Sequence, residues 1–154
     1  LGRILVTPFN NEWYHLIRFD VGDLVRLDET GKCACGRKSG MILSAIEGRF
    51  ANATLTCAGR LVSSRGLDHS LSILTGIDEY KLEQITPDSY EIHIASRQQD
   101  KQPLSLSAVS ILKGLYGKTA KISVIHEDMI SPESSGKYRI SKTLFPLKIE
   151  DYLQ

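Results

Sequence analysis

No stretch of this 154-residue chain approaches the run of about 20 apolar residues that a membrane-spanning helix needs. Nor do the first residues, "LGRILVTPFNNEW", carry the basic start and small-residue cleavage site of a secretory signal, so a cytoplasmic location is the expectation. Neither sign of charge is in excess: 19 Lys and Arg stand against 18 Asp and Glu, a formal net charge of +1. A chain so balanced has no long-range field to draw in a nucleic acid or an anionic bilayer, and neither is expected as a partner. Cysteine is scarce. Cys33, Cys35 and Cys57 are an odd number in a chain without secretory signals, which argues against a disulfide framework. Repeats and low-complexity segments are lacking too. What is present, 42% hydrophobic and 24% charged residues, suits one ordinary globular core with a possible appendage. Starting at Leu1 directly in strand-like sequence, the chain reads as part of a longer protein.

Periodicity divides it in two. Up to Arg49 the pattern is all-β: Arg3 to Val6 and Tyr14 to Phe19 read as paired strands around the turn-rich "TPFNNE". "GDLVRL" reads as a third strand and "MILSAIEGR" as a fourth, ending at Gly48. No helix covers that sheet, so one face should pack on a neighbour. Beyond Arg49, "TLTCAGRLV" predicts a hairpin turning at Ala58 and Gly59. Ser63 or Ser64 then caps a helix with Leu67, Leu71 and Leu74 on one face and Gly76 past its end. Strands are predicted over Glu79 to Thr86 and Tyr90 to Ser96, the second alternating Tyr90, Ile92 and Ile94 with Glu91 and His93. Pro103 opens a second helix striped by Leu104, Ala108, Ile111, Leu112 and Leu115 and stopped by Gly117. A strand with Ala120, Ile122 and Val124 facing inward follows, and then the strand-like tail of "SPESSGKYRISK". The order helix, strand, strand, helix, strand predicts an α+β sandwich with both helices on one face of a small sheet.

Side chains able to do chemistry are few. Cys33 and Cys35 in "CACGRK" offer a two-ligand corner for zinc, which needs two more ligands; the other reading is a tight glycine turn with reduced thiols. His15, His69, His93 and His126 are scattered without metal or triad spacing and read as surface or satisfied histidines. "NAT" at Asn52 to Thr54 matches a glycosylation acceptor in form only. Three further stretches are weak singly: "LIRFDVGDLVRL", "IEGRFANATLTCAGRLVSSRGLD" and "SSGKYRISK".

Taken together and in that order, the three resemble the adenylate-forming superfamily of acyl-coenzyme A ligases and carrier-protein adenylation domains. The likeness is greatest to the phenylacetate-coenzyme A ligase branch, with its coenzyme F390 synthetase-like members. There a strand ending in "IRY" leads through a Gly-Asp to a "CxCGR" turn, as "LIRFDVGDLVRLDETGKCACGRK" does here. The resemblance spans essentially the whole chain but only the C-terminal third or so of a complete member. It implies that residues 1–49 are the last β-subdomain segment of a large N-terminal adenylating domain, and residues 50–154 the small mobile C-terminal domain.

Roles follow by position. Asp23, matching the aspartate of the Gly-Asp motif, would accept hydrogen bonds from both ribose hydroxyls of ATP, two acceptor oxygens meeting two vicinal donors. Arg49, matching the junction arginine, would contact ribose or phosphate. Lys137, matching the lysine of the "SGK" motif, would set its ammonium between the attacking carboxylate and the α-phosphate, with Gly136 letting the backbone bend. ATP with Mg2+, a small carboxylic acid and a thiol acceptor, coenzyme A or a carrier-protein phosphopantetheine, are the implied reactants. The hinge is where the sequence departs from the pattern: Ala51, followed by Asn52, stands where the family commonly has Asp. The phosphate loop and acyl pocket belong to the upstream domain, so this stretch alone should be inactive. A non-catalytic α+β binding module, or a degenerate adenylation relative, is the alternative that the altered hinge favours. An RNA-binding sheet is disfavoured by neutral charge and unpaired aromatics.

Overall fold

A computed structural model describes every residue except Lys38, Ser135, Lys137, Leu153 and Gln154, and only the backbone at 149 and 150. Gly2–Val6 (β1), Phe19–Leu27 (β2) and Leu43–Arg49 (β3) make an antiparallel sheet in the order β1-β2-β3. The strand expected over Tyr14 to Phe19 is not one. Tyr14 to Arg18 lie in an irregular loop with Trp13, Tyr14 and Ile17 exposed, and the strand runs unbroken from Phe19 through "GDLVRL". Aromatic and β-branched residues raise strand propensity only where a pleated surface receives them, and here none does. The predicted start of β3 at Met41 also moves, to Leu43.

A single 3-10 turn, Phe50–Asn52, leads into a hairpin of Thr54–Leu55 (β4) and Leu61–Val62 (β5), with Gly59 at φ +75° in its turn. Helix α1 (Ser64–Leu71) follows, capped by Ser63, whose hydroxyl accepts the Gly66 N–H at 3.1 Å. It is shorter than Leu74 and Gly76 suggested: Leu67 and Leu71 are buried on it, whereas Leu74 packs on the core from beyond its end. The remaining strands are β6 (Glu79–Thr86), β7 (Ser89–Ala95), β8 (Lys121–Glu127) and β9 (Ser141–Thr143). Helix α2 (Gln102–Tyr116) lies between β7 and β8 in the chain and ends at Gly117 as its stripe predicts. These strands form one mixed sheet, β8-β7-β6-β9, with β6 and β7 antiparallel and the two outer pairs parallel.

Both helices cover one face of the mixed sheet, as an α+β sandwich requires: Leu67, Leu71, Leu104, Ala108 and Leu112 pack with Leu82, Tyr90, Ile92 and Ile94. The hairpin is tied to this core through a buried amide. Gln84, fully buried, accepts the Leu55 N–H at 2.8 Å and donates to the Leu55 carbonyl at 3.0 Å, so a side chain completes what a neighbouring strand would otherwise supply. Tyr90 donates to the same carbonyl at 2.6 Å, and its ring stacks on Tyr116 with centroids 4.3 Å apart. Burial pushes both phenols above their ordinary pKa, so they act as neutral hydrogen-bonding groups. Among the described residues, no helix is long and apolar enough to cross a membrane.

Candidate functional site

Asp23 and Arg49 sit directly opposite each other on β2 and β3. Arg49 Nε lies 3.0 Å from Asp23 Oδ1, and Nη1 donates to the Val21 carbonyl at 2.7 Å. Gly22, at φ +79°, bends the strand under the guanidinium; a Cβ there would stand 3.5 Å from Arg49 Nη1. The side chains keep 64% and 30% of their surface open, so a ligand can reach the pair from solvent. Chemically the couple offers a carboxylate acceptor and a planar cation within one hydrogen-bond length, suited to hydroxyl and phosphate groups that neighbour each other.

The junction follows at once. Ala51 and Asn52 lie in the Phe50–Asn52 turn; Ala51 is exposed, and the Asn52 carbonyl accepts the Ser141 hydroxyl at 2.5 Å. Contacts that the sequence does not announce brace this junction. Glu47, 7% exposed, accepts Arg26 Nε at 3.0 Å and the Ser63 hydroxyl at 2.7 Å, so the residue that caps α1 also binds β3. Burial opposes the charge of Glu47, but the hydrogen bonds from Ser63 and Arg26 outweigh it and hold the carboxyl below its usual pKa. Gly48, at φ +102°, allows Ser64 against the strand: a Cβ would fall 2.1 Å from Ser64 Oγ.

Lys137 lies outside the described residues, while its neighbours are held. Ile130, 4% exposed, closes the start of the loop by donating its N–H to Glu79 at 3.2 Å. Gly136 takes φ +74° and donates to the Glu133 carbonyl at 2.7 Å, and Arg139 pairs with the Glu133 carboxylate at 3.2 Å. Ser141, 1% exposed, closes the loop's other end. Tyr138, Arg139 and Ile140 meet Asp78, Tyr80 and Ile130 around a cleft of about 340 Å³ beside the loop.

The thiols of Cys33 and Cys35 approach to 2.8 Å on the turn between β2 and β3, far from Cys57, whose sulfur lies 3.9 Å from the Tyr90 hydroxyl. The Cys33 thiol and the Arg37 N–H hold the Cys35 thiol below its ordinary pKa. Among the described residues, no group of three His, Cys, Asp or Glu side chains is gathered for a metal, so the zinc corner finds no third ligand there. Of the histidines, His93 sits between Glu91 at 3.1 Å and Glu127 at 2.5 Å, and His126 bonds Ser105 at 2.7 Å. The His93 cluster was hidden because Glu127 arrives from a parallel strand 34 residues away. Only the alternation that puts Glu91 and His93 on one face pointed to it.

Compared with protein-family models and with curated proteins, the chain finds no match. Among solved structures it is similar to 2-hydroxyisobutyryl-CoA ligase in the postadenylation state in complex with 2-HIB-AMP. That match has a TM-score of 0.57 at 19% identity over 82% of this chain and 28% of that one. It is also similar to an open conformation of the same ligase with 2-HIB-AMP and CoA, with a TM-score of 0.51 at 18% identity over 85% and 29%. A third similar structure comes from work on fatty acyl-adenylate ligases from E. coli and L. pneumophila, with a TM-score of 0.52 at 19% identity over 77% and 20%. The chain thus shares the α+β fold of a part of acyl-adenylating ligases, spanning under a third of their length.

Proposed function

We propose that this chain is the C-terminal portion of an ATP-dependent acyl-adenylating ligase of the adenylate-forming superfamily, from the phenylacetate-coenzyme A ligase branch, acting in the cytoplasm. A carboxylic acid and ATP with Mg2+ give acyl-AMP and pyrophosphate, and the acyl group then passes to a thiol, coenzyme A or a phosphopantetheine. Residues 1–49 end the large adenylating domain and residues 50–154 form the mobile domain, with Ala51 and Asn52 as the hinge. The observation that carries this reading is the Asp23–Arg49 pair: an open carboxylate and guanidinium 3.0 Å apart, with Arg49 directly before the turn, within a fold shared with ligases of this chemistry. Asp23 takes the ribose hydroxyls, and Arg49 turns to the ribose or the nearby phosphate. Lys137 brings its charge between the attacking carboxylate and the α-phosphate. Two anions repel each other, and one compact cation between them stabilises the transition state more than the separated reactants.

The test is pyrophosphate exchange by the full-length protein over a panel of small carboxylic acids. Lys137→Ala should lower exchange by about 100- to 1,000-fold, the effect of removing one preorganised donor, and should slow thiol transfer from preformed acyl-AMP less. Equal exchange by wild type and variant overturns the role of Lys137. No exchange with any acid favours the non-catalytic binding module, the reading that Ala51 at the hinge supports.

A further inference from the structure

We propose that the β8 edge of the mixed sheet pairs with the β8 edge of a second copy of this protein, antiparallel and centred on Val124, so that the two sheets join into one. β8 is the outer strand, and all of its residues from Lys121 to Glu127 pair with β7 in unbroken register. The Lys121 N–H donates to the Asp88 carbonyl at 2.8 Å. By alternation along the strand, the backbone groups of Lys121, Ser123, Ile125 and Glu127 face β7, while those of Ile122, Val124 and His126 face outward. Natural sheet edges are usually blunted by a proline, a bulge, a short length or a charge in mid-strand. From Ile122 to His126 this strand reads "ISVIH", without Lys, Arg, Asp, Glu or Pro. The opposite edge is protected: β9 has three residues, and Ser141 ties it to the Asn52 carbonyl of the junction. β8 is therefore the edge away from the three-stranded sheet, where the ligase reading puts the upstream body.

The strand's own pattern names the occupant. Set antiparallel about Val124, Ile122 meets His126 of the second copy and Val124 meets Val124, so every outward-facing residue exchanges both of its backbone hydrogen bonds. The same register sets Lys121 opposite Glu127 and Ser123 opposite Ile125, in the closer, non-bonded positions on the face away from the helices. The two-fold axis repeats the Lys121–Glu127 pair at both ends. A slip of two residues either way loses it, since Lys121 then meets Ile125 or falls opposite Met129, beyond the strand. Both charges can take a second partner. Lys121, 73% exposed, spends one donor on Asp88, and Glu127 bonds His93 through one oxygen and keeps the other. The axis stands normal to the sheet, so both copies of α2 come together on one face. Ser105 on α2 bonds His126 on β8, and at about 100° per residue Val109 and then Leu106 follow around the helix toward the open edge. Leu106 is 67% exposed, an apolar side chain placed to meet its own copy above the joined strands.

Sedimentation equilibrium of the full-length protein at graded concentration should show a monomer–dimer equilibrium. Lys121→Glu or Glu127→Lys alone sets like charges opposite each other at both ends and should raise the dissociation constant about tenfold or more. An equimolar mixture of the two variants should associate again, because each reversed charge then meets its complement, and so should the double variant. Leu106→Asp alters an exposed side chain and should weaken the dimer even where a charge reversal impairs folding. In hydrogen exchange, the amides of Ile122, Val124 and His126 should be slower in the dimer than in either single variant. The proposal fails if the full-length protein stays a monomer at every concentration, or if it forms a dimer that neither the charge reversals nor Leu106→Asp weaken. It fails equally if two folded single variants remain monomeric when mixed. A monomer that retains pyrophosphate exchange overturns this surface and leaves the ligase reading standing.

Discussion

The two sheets of this molecule solve the same problem differently. The four-stranded sheet buries Leu82, Tyr90, Ile92 and Ile94 beneath two helices that come from the same stretch of chain. The three-stranded sheet has no helix of its own; among its strand residues Leu24 is fully buried, joined by Ala53 in a small cluster, while Leu5, Phe19, Leu43 and Ile46 remain exposed. Apolar burial is the main favourable term in folding, so the first sheet carries its own stability and the second depends on what it touches. The contacts at the junction are therefore more than a linker: Glu47 and Gly48 on β3 are braced there by Ser63 and Ser64 at the start of α1.

The contrast is sharpest in the cores. Ile92→Ala, at a position with no exposure, should cost about 3 to 4 kcal/mol of unfolding free energy, counting lost transfer energy and the cavity left behind. Ile46→Ala, 61% exposed, should stay within about 0.5 kcal/mol in chemical denaturation of this chain. Comparable losses at both positions would mean that the three-stranded sheet has a core of its own. A smaller effect is expected at the brace. Gly48→Ala should cost about 2 to 3 kcal/mol, because an L side chain at φ +102° is strained and its Cβ must displace Ser64. Restoring room with Ser64→Gly in the same chain should recover part of that loss, which backbone strain alone would not allow.

Glu47→Gln should cost less than Gly48→Ala at neutral pH, about 1 to 2 kcal/mol, since Arg26 is 60% exposed and keeps its water when its partner is neutral. Its pH dependence is the more telling readout. The folded-state pKa of Glu47 lies below its unfolded value, so its contribution is present above the unfolded pKa of about 4.3 and is lost as pH falls through the folded value. The Gln variant should show a flatter decline of stability on the acid side. An unchanged acid limb would remove Glu47 from the account of how β3 is tied to the cap of α1.

Much of this was legible in the residues. The stripe behind Pro103 and the stop at Gly117 specified α2, and the alternation through Tyr90, Ile92 and Ile94 specified β7, because both depend on spacing within one element. The choice between Ser63 and Ser64 as cap was not legible, since either hydroxyl can cap. The structure gives the cap to Ser63, whose hydroxyl accepts the Gly66 N–H while donating to Glu47 on β3. Tyr14 and Ile17 misled for a related reason: residues suited to a strand also occur in exposed loops, where no pleated surface receives them.

Local spacing, then, determined most of the helices and strands of this protein and brought the Gly-Asp, Gly-Arg and Gly-Lys stretches to notice. Tertiary structure alone decided that Asp23 faces Arg49, that Glu47 joins β3 to the cap of α1, and that His93 sits between carboxylates on two strands. Each of these pairings joins residues far apart in the chain, and the closure entropy they cost is offset only when the surrounding core forms with them.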